Sequence, residues 1–108
     1  MPTPGECMAE LHEQLQANRK RTAGLDATYQ FVLDGPHGGS WWIRANSGSG
    51  ETGAGTIDSP TVTVFTTDET FVGMATGEIE GQDAFFTGKL RVEGDAPMAM
   101  YLKQIFGT

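Results

Sequence analysis

The residues that could do covalent or acid–base chemistry are few and far apart. Of the two histidines, His12 falls beside the apolar stripe of a predicted helix, and His37 sits in the Gly/Pro loop Asp34-Gly35-Pro36-His37-Gly38-Gly39 with no acid or nucleophile motif beside it. A zinc site draws on clustered histidines and cysteines. Cys7 is the only cysteine, so no metal site is predicted, and an isolated thiol ahead of a polar helix reads as an ordinary one. Two carboxylates serve as acid and base only where burial drives their pKa values apart, whereas the acidic residues here fall mostly on predicted solvent faces. The run Ser47 to Gly55, SGSGETGAG, has the glycine content of a phosphate-cradling loop. It lacks the Gly-Lys-Ser or Gly-Lys-Thr that such a loop ends in. It reads instead as a turn into an edge strand from about Gly53 to Ile57. Arg19-Lys20-Arg21 has two readings: a solvated helix end favoured by the dipole, or a contact for lipid headgroups or an acyl carrier's phosphates. The expectation is a protein that is not an enzyme and holds no cofactor.

What the sequence does carry is apolar patterning. Between Thr66 and Gly94, Phe71, Met74 and Ala75 stand at i, i+3 and i+4, one face of a helix. Thr66 with Glu69 fits a capping box, Asp68 and Glu69 place negative charge in the first turn, and Gly77 is the predicted stop. Phe85 and Phe86 lie in a second short helix ended by Gly88. Leu90 and Val92 then alternate with Lys89, Arg91 and Glu93 in a strand.

The elements that must position this stretch read in order. Met1 to Gly5 is a Pro-containing tail, expected to fray. Glu6 to Arg21 is a helix with Met8, Leu11 and Leu15 on one face. Thr28–Leu33 is a strand with Tyr29, Phe31 and Leu33 together. In the returning strand Trp41–Asn46, Trp41, Ile43 and Ala45 share one face and Trp42, Arg44 and Asn46 the other. One tryptophan then serves a core or cavity, and the other needs cover from Arg44 or from a dimer contact. Val62 and Val64 point inward from Thr61–Thr66, with Thr61, Thr63 and Phe65 outward. Asp95 caps a final helix with Pro97 in its first turn. Met98, Leu102 and Ile105 form its stripe, Tyr101 and Phe106 lie beside it, and it ends at Gly107.

Length and charge bound the function. A chain of 108 residues makes one domain, 1–108, and buries about two-thirds of its unfolded surface. A formal net charge of −7 excludes nucleic acid, whose phosphates demand clustered Lys and Arg. No apolar run approaches the roughly 20 residues of a membrane span, so no stable insertion is expected. The single cysteine suits a reducing compartment. With neither a secretion signal nor a Ser-Lys-Leu address in view, the expectation is a cytoplasmic protein.

The order of these parts resembles the sterol carrier protein type two domain. The likeness rests on Thr66, Asp68, Glu69, Phe71, Met74 and Gly77, then Gln82, Ala84 and Phe85, then Gly88-Lys89-Leu90 and Gly94-Asp95. Upstream, Tyr29-Gln30-Phe31, the Gly38-Gly39-x-Trp41 turn and Thr61-Val62-Thr63-Val64 also match, so it spans nearly the whole chain. The resemblance implies an α+β fold, a five-stranded mostly antiparallel sheet with helices on one face, enclosing an apolar tunnel closed by the last helix. It implies non-catalytic binding, and transfer, of a sterol, fatty acid or acyl-CoA. Phe31, Ile43, Val64, Phe71, Met74, Phe85, Phe86, Met98, Leu102 and Ile105 are then candidates for the tunnel wall, although the residues alone fit a plain core equally well. Two other roles stay open. One is an accessory module presenting a hydrophobic intermediate to a biosynthetic enzyme. The other is a structural module that dimerises through the exposed sheet face bearing Trp42 or Phe65.

Overall fold

The computed structural model describes residues 2–106. Helix α1, Pro4–Ala17, starts immediately after Thr3. The Thr3 hydroxyl accepts from the Glu6 N–H at 3.2 Å, and the Glu6 carboxylate accepts from the Thr3 N–H at 3.2 Å. This capping box, with Pro4 in the first turn where its missing N–H costs nothing, corrects the expectation of a frayed tail through Gly5. Met1 and the expected helix end at Gly107 lie outside the described residues. α1 also stops earlier than the expected Arg21. Asn18 leaves helical dihedrals and its side chain accepts from the Lys20 N–H, which turns Arg19–Arg21 into a 3₁₀ helix.

The five strands are β1 (Asp26–Asp34), β2 (Gly39–Asn46), β3 (Ser49–Ala54), β4 (Val62–Thr67) and β5 (Leu90–Gly94), in the order β3-β2-β1-β4-β5. β1 and β4 run parallel and the other neighbours antiparallel, so the mostly antiparallel α+β sheet stands as expected. Alternation puts Tyr29, Phe31, Leu33, Ile43, Ala45, Val62 and Val64 on one face, all buried. Met8, Leu11 and Leu15 of α1 and Phe71 of α2 (Asp68–Thr76) close over them. Ile105 joins from α5 (Leu102–Phe106).

Three boundaries differ from the sequence reading. The glycine-rich run is itself edge strand β3, not a turn leading to a strand at Gly53–Ile57. Its glycines are there for close approach: a Cβ on Gly50 would lie 2.9 Å from Thr22 Cγ2 and 3.0 Å from Leu15 Cβ, and one on Gly53 would run into the Trp42 indole. The cap of α2 is Thr67, accepting from the Thr70 N–H at 3.1 Å. Thr66 instead keeps the inward parity of Val62 and Val64, and its buried hydroxyl donates to the Lys89 carbonyl at 2.8 Å. The single final helix is two, α4 (Ala96–Ala99) and α5, because Met100 and Tyr101 donate to carbonyls three residues back and tighten the chain between them.

α1 also finishes the β3 edge. The Thr52 N–H donates to His12 Nδ1 at 3.1 Å, Gln16 Nε2 donates to the Gly50 carbonyl at 2.6 Å, and the Thr52 hydroxyl donates to the Met8 carbonyl at 3.2 Å. His12 is thus a strand-edge acceptor, while the His37 N–H donates to Asp68 Oδ2 at 2.9 Å. On the far side of the sheet, buried Gln30 holds the chain after β3. Its Nε2 donates to the Gly55 carbonyl and its Oε1 accepts from the Ile57 N–H. Trp42 on that face lies under Arg44, with 5.1 Å from guanidinium to ring centroid, and Phe65 under Arg91 at 4.4 Å. Both are cation–π contacts within the chain.

Candidate functional site

A cleft of about 320 Å³ opens where α1, α2 and α5 converge, lined by Pro2, Cys7, Glu10, Leu11, Gln14, Ala75, Thr76 and Phe106. It stands at the small end of the roughly 300–1,000 Å³ usual for small-molecule pockets. Sequence spacing builds its walls. Cys7 and Leu11 lie four apart on α1, and Ala75 and Thr76 form the last turn of α2, which Gly77 ends with φ 85°.

Phe106 links this cleft to the interior. Its ring centroid is 6.3 Å from that of Phe31 and 6.1 Å from that of Phe71, both pairs edge-to-face, and Phe31 and Phe71 are themselves 5.3 Å apart. Three aromatic rings therefore meet beneath the cleft floor, a favoured geometry.

The candidate wall residues divide into three groups. Phe31, Ile43, Val64, Phe71 and Ile105 are fully buried under the helices, and Met74 is nearly so, its Sδ turned toward Gly81 of α3 (Gly81–Phe86). Met98 and Leu102 are half-buried against the same core. Phe85 and Phe86 stand 53% and 76% exposed, and none of the ten candidates is among the residues that line the cleft. α3 is only six residues long and buries just Ala84, so its aromatic pair is left outside, ring against ring at 5.9 Å. The α1 wall was missed from sequence, although the Cys7/Leu11 spacing on the stripe with Met8 and Leu15 was the available signal.

The cleft is lined by polar as well as apolar groups, with Glu10, Gln14 and Thr76 beside Leu11, Ala75 and Phe106. Burial first, then the carboxylates of Glu10 and Glu6, push the Cys7 thiol up, which leaves it protonated and a poor nucleophile. Among the described residues no group of three or more His, Cys, Asp and Glu could hold a metal ion, and no helix is long and apolar enough to cross a membrane. At one end of the cleft Gln14 donates to Glu10 Oε1 at 3.2 Å and accepts from Arg21 Nη1 at 2.6 Å.

Comparison with known proteins places this geometry. Residues 8–107 match the SCP-2 sterol transfer family. Hydroxysteroid dehydrogenase-like protein 2 of Xenopus tropicalis is 36% identical over 89 residues, which is 82% of this chain and 21% of that protein. The chain thus spans about a fifth of the curated relatives it matches. The solved sterol carrier protein domain 2 of Helicoverpa armigera is 30% identical with a TM-score of 0.72, covering 94% of this chain and 86% of that one. Sterol carrier protein 2 of Aedes aegypti, solved in complex with palmitate, shares the fold at a TM-score of 0.72 with 16% identity, over 98% and 96% of the two chains. A match over nearly all of the described residues, on the same sheet and helices, means that this chain belongs to the SCP-2 sterol transfer family.

Proposed function

We propose that the chain binds a lipid with an alkyl tail, and passes it on, without catalysing a reaction. The observation that carries this reading is the double role of Phe106. One ring both walls the cleft and packs edge-on against Phe31 and Phe71. Swinging α5 about the Met100–Tyr101 turn withdraws that ring and joins the cleft to the interior. The tail then lies against Phe31, Phe71, Met74, Met98, Leu102 and Ile105, with Ile43 and Val64 as the sheet floor. Burial of each CH₂ contributes about 0.8 kcal/mol, and methionine chains re-pack around differing shapes, so selectivity among tails is loose. The palmitate complex of an Aedes aegypti protein with the same fold supports the choice of ligand.

A second reading shares the cleft: the domain presents its lipid to a catalytic partner. Its support is that the dehydrogenase-like relatives match this chain over about a fifth of their length. A pulldown that brings lipid-modifying enzymes favours it, and a lone protein carrying extracted lipid favours the carrier.

The test is displacement of a fluorescent fatty acid by palmitate. Ala75→Trp fills the cleft from its α2 wall and should weaken uptake by at least about tenfold, or about 1.4 kcal/mol. A folded Ala75→Trp protein that binds as tightly as the wild type would sink the cleft as the entry site.

A further inference from the structure

The edge of the sheet at β5 is left open. Among the described residues no side chain bonds to the outer backbone groups of Leu90–Gly94, in contrast to β3 beneath α1. The Asp95 N–H donates to the Thr61 carbonyl at 3.0 Å, one step beyond the paired Val62 and Gly94. Bonded and non-bonded pairs alternate along an antiparallel ladder. Glu93 and Arg91 therefore turn their backbone groups toward β4, while Gly94, Val92 and Leu90 turn theirs outward.

This strand is complementary to itself. Laid antiparallel on a second copy with Val92 opposite Val92, it sets Arg91 of each copy opposite Glu93 of the other. Centring the pair on residue 91 would oppose two arginines, and centring it on residue 93 two glutamates. Like charges directly opposite are destabilising, so the charge pattern selects the Val92 register. The two side chains are 68% and 57% exposed and 3.4 Å apart within one chain, and Glu93 can turn to the mate's Arg91 while that guanidinium stays over Phe65.

The same two-fold axis matches the exposed apolar groups. Phe85 and Phe86 precede β5, and Met100 and Tyr101, 66% and 46% exposed, follow it. Both groups lie on the helix side of the sheet. α3 rests on α2 through Gly81 and Met74, and the Met98 carbonyl accepts from the Tyr29 hydroxyl at 2.8 Å. Reversing one strand against the other brings α3 of each copy to the Met100–Tyr101 turn of its mate.

We propose that the β5 edge, and not the outer face where arginines already cover Trp42 and Phe65, joins two copies of this chain into one continuous sheet. A lipid surface fits the patch less well. Hydrocarbon offers no partner for the outward N–H and C=O groups, and Glu78, Glu80 and Asp83 flank the phenylalanines. The inference does not depend on what the cleft binds.

Sedimentation over a concentration series tests it, with circular dichroism to check folding. The wild type should reach twice the 11.6 kDa chain mass. Arg91→Glu or Glu93→Arg alone should raise the dimer dissociation constant by about tenfold, and the double exchange R91E/E93R should bring it back. Val92→Pro removes an outward N–H without touching the β4 ladder and should leave a folded monomer. A wild type that stays monomeric throughout overturns the proposal, as does a dimer that no change at 91–93 weakens. A monomer whose binding to phosphatidylcholine vesicles is lost in Phe86→Ser would also overturn it and assign the patch to a membrane.

Discussion

The β3 and β5 sides of this sheet are built on different terms. On the β3 side, α1 lays Leu15 against Gly50, and His12 and Gln16 satisfy strand-edge groups that would otherwise face water or another chain. On the β5 side the helices are short. Leu90 and Val92 are only half-buried, and four large apolar side chains stand in solvent. An unprotected edge and exposed aromatics are liabilities in a protein that has no use for them. The contrast therefore separates a sheet edge that the fold closes from one that it leaves open. α5, with Phe106 at its end, bridges the two: Ile105 is buried in the core and Gln104 Nε2 donates to the carbonyls of Lys20, Arg21 and Ala23.

The largest effect should come from the closed side. Leu15 is 1% exposed, and Leu15→Ala should cost about 3 kcal/mol, since such truncations in cores run from about 2 to 5. Phe86→Ser on the open side, compared at a concentration where both proteins are monomeric, should change stability by no more than about 0.5 kcal/mol. Urea unfolding of the two variants measures both. Similar losses for the two would break the contrast, because Phe86 would then be holding the fold.

The sequence was legible where a local pattern had a single physical meaning. Strand alternation at Tyr29, Phe31, Ile43, Val62 and Val64 put the right residues on the core face, and Gly77 and Asp95 acted as the helix end and helix cap their chemistry predicts. It misled where the cause was distant. Nothing local in SGSGETGAG announces a strand. Gly50 and Gly53 are explained only by Leu15, Thr22 and Trp42, which pack on them from elsewhere. Thr66 and Thr67 both suit a cap, and only the pairing of β4 with β5 decides between them. Phe85 and Phe86 looked like wall residues because they are apolar. Their exposure follows from the shortness of α3, which an apolar pattern does not encode. For the cleft, Phe106 was within reach of pattern reasoning, while the α1 wall depended on how two helices dock.

A smaller effect concerns a tie between the two sides. The Tyr29 hydroxyl, from the closed core, donates to the Met98 carbonyl of α4. Burial, with Asp95 and Tyr101 adding to it, pushes the phenol up to about 12, against about 10 for a free tyrosine. The folded state thus holds this proton more tightly than the unfolded one. Stability from Tyr29 is fully present below about pH 10 and declines as pH rises toward about 12. Tyr29→Phe should cost about 1 kcal/mol at neutral pH through the lost hydrogen bond and should flatten that alkaline decline. Thermal melts of both proteins across this pH range check it. A wild type and a variant that fall in parallel would show that the phenol does not govern the decline.

The last prediction has the opposite sign and refines the idea that the closed side is the optimised one. Thr22, packed under Gly50, is fully buried, yet among the described residues its hydroxyl has no hydrogen-bond partner. Its backbone carbonyl is engaged by the N–H groups of Leu25 and Gly48, so the residue's main chain closes the turn into β1 and its side chain only fills space. A buried hydroxyl without a partner costs about 1–3 kcal/mol relative to a satisfied one. Valine keeps the branched shape and removes the polar atom. Thr22→Val should therefore gain about 1 kcal/mol, read as a shift of the urea midpoint upward at unchanged slope. A loss of stability instead would mean that this hydroxyl is satisfied in solution, and that the packing of α1 on β3 includes a polar contact which geometry alone does not reveal.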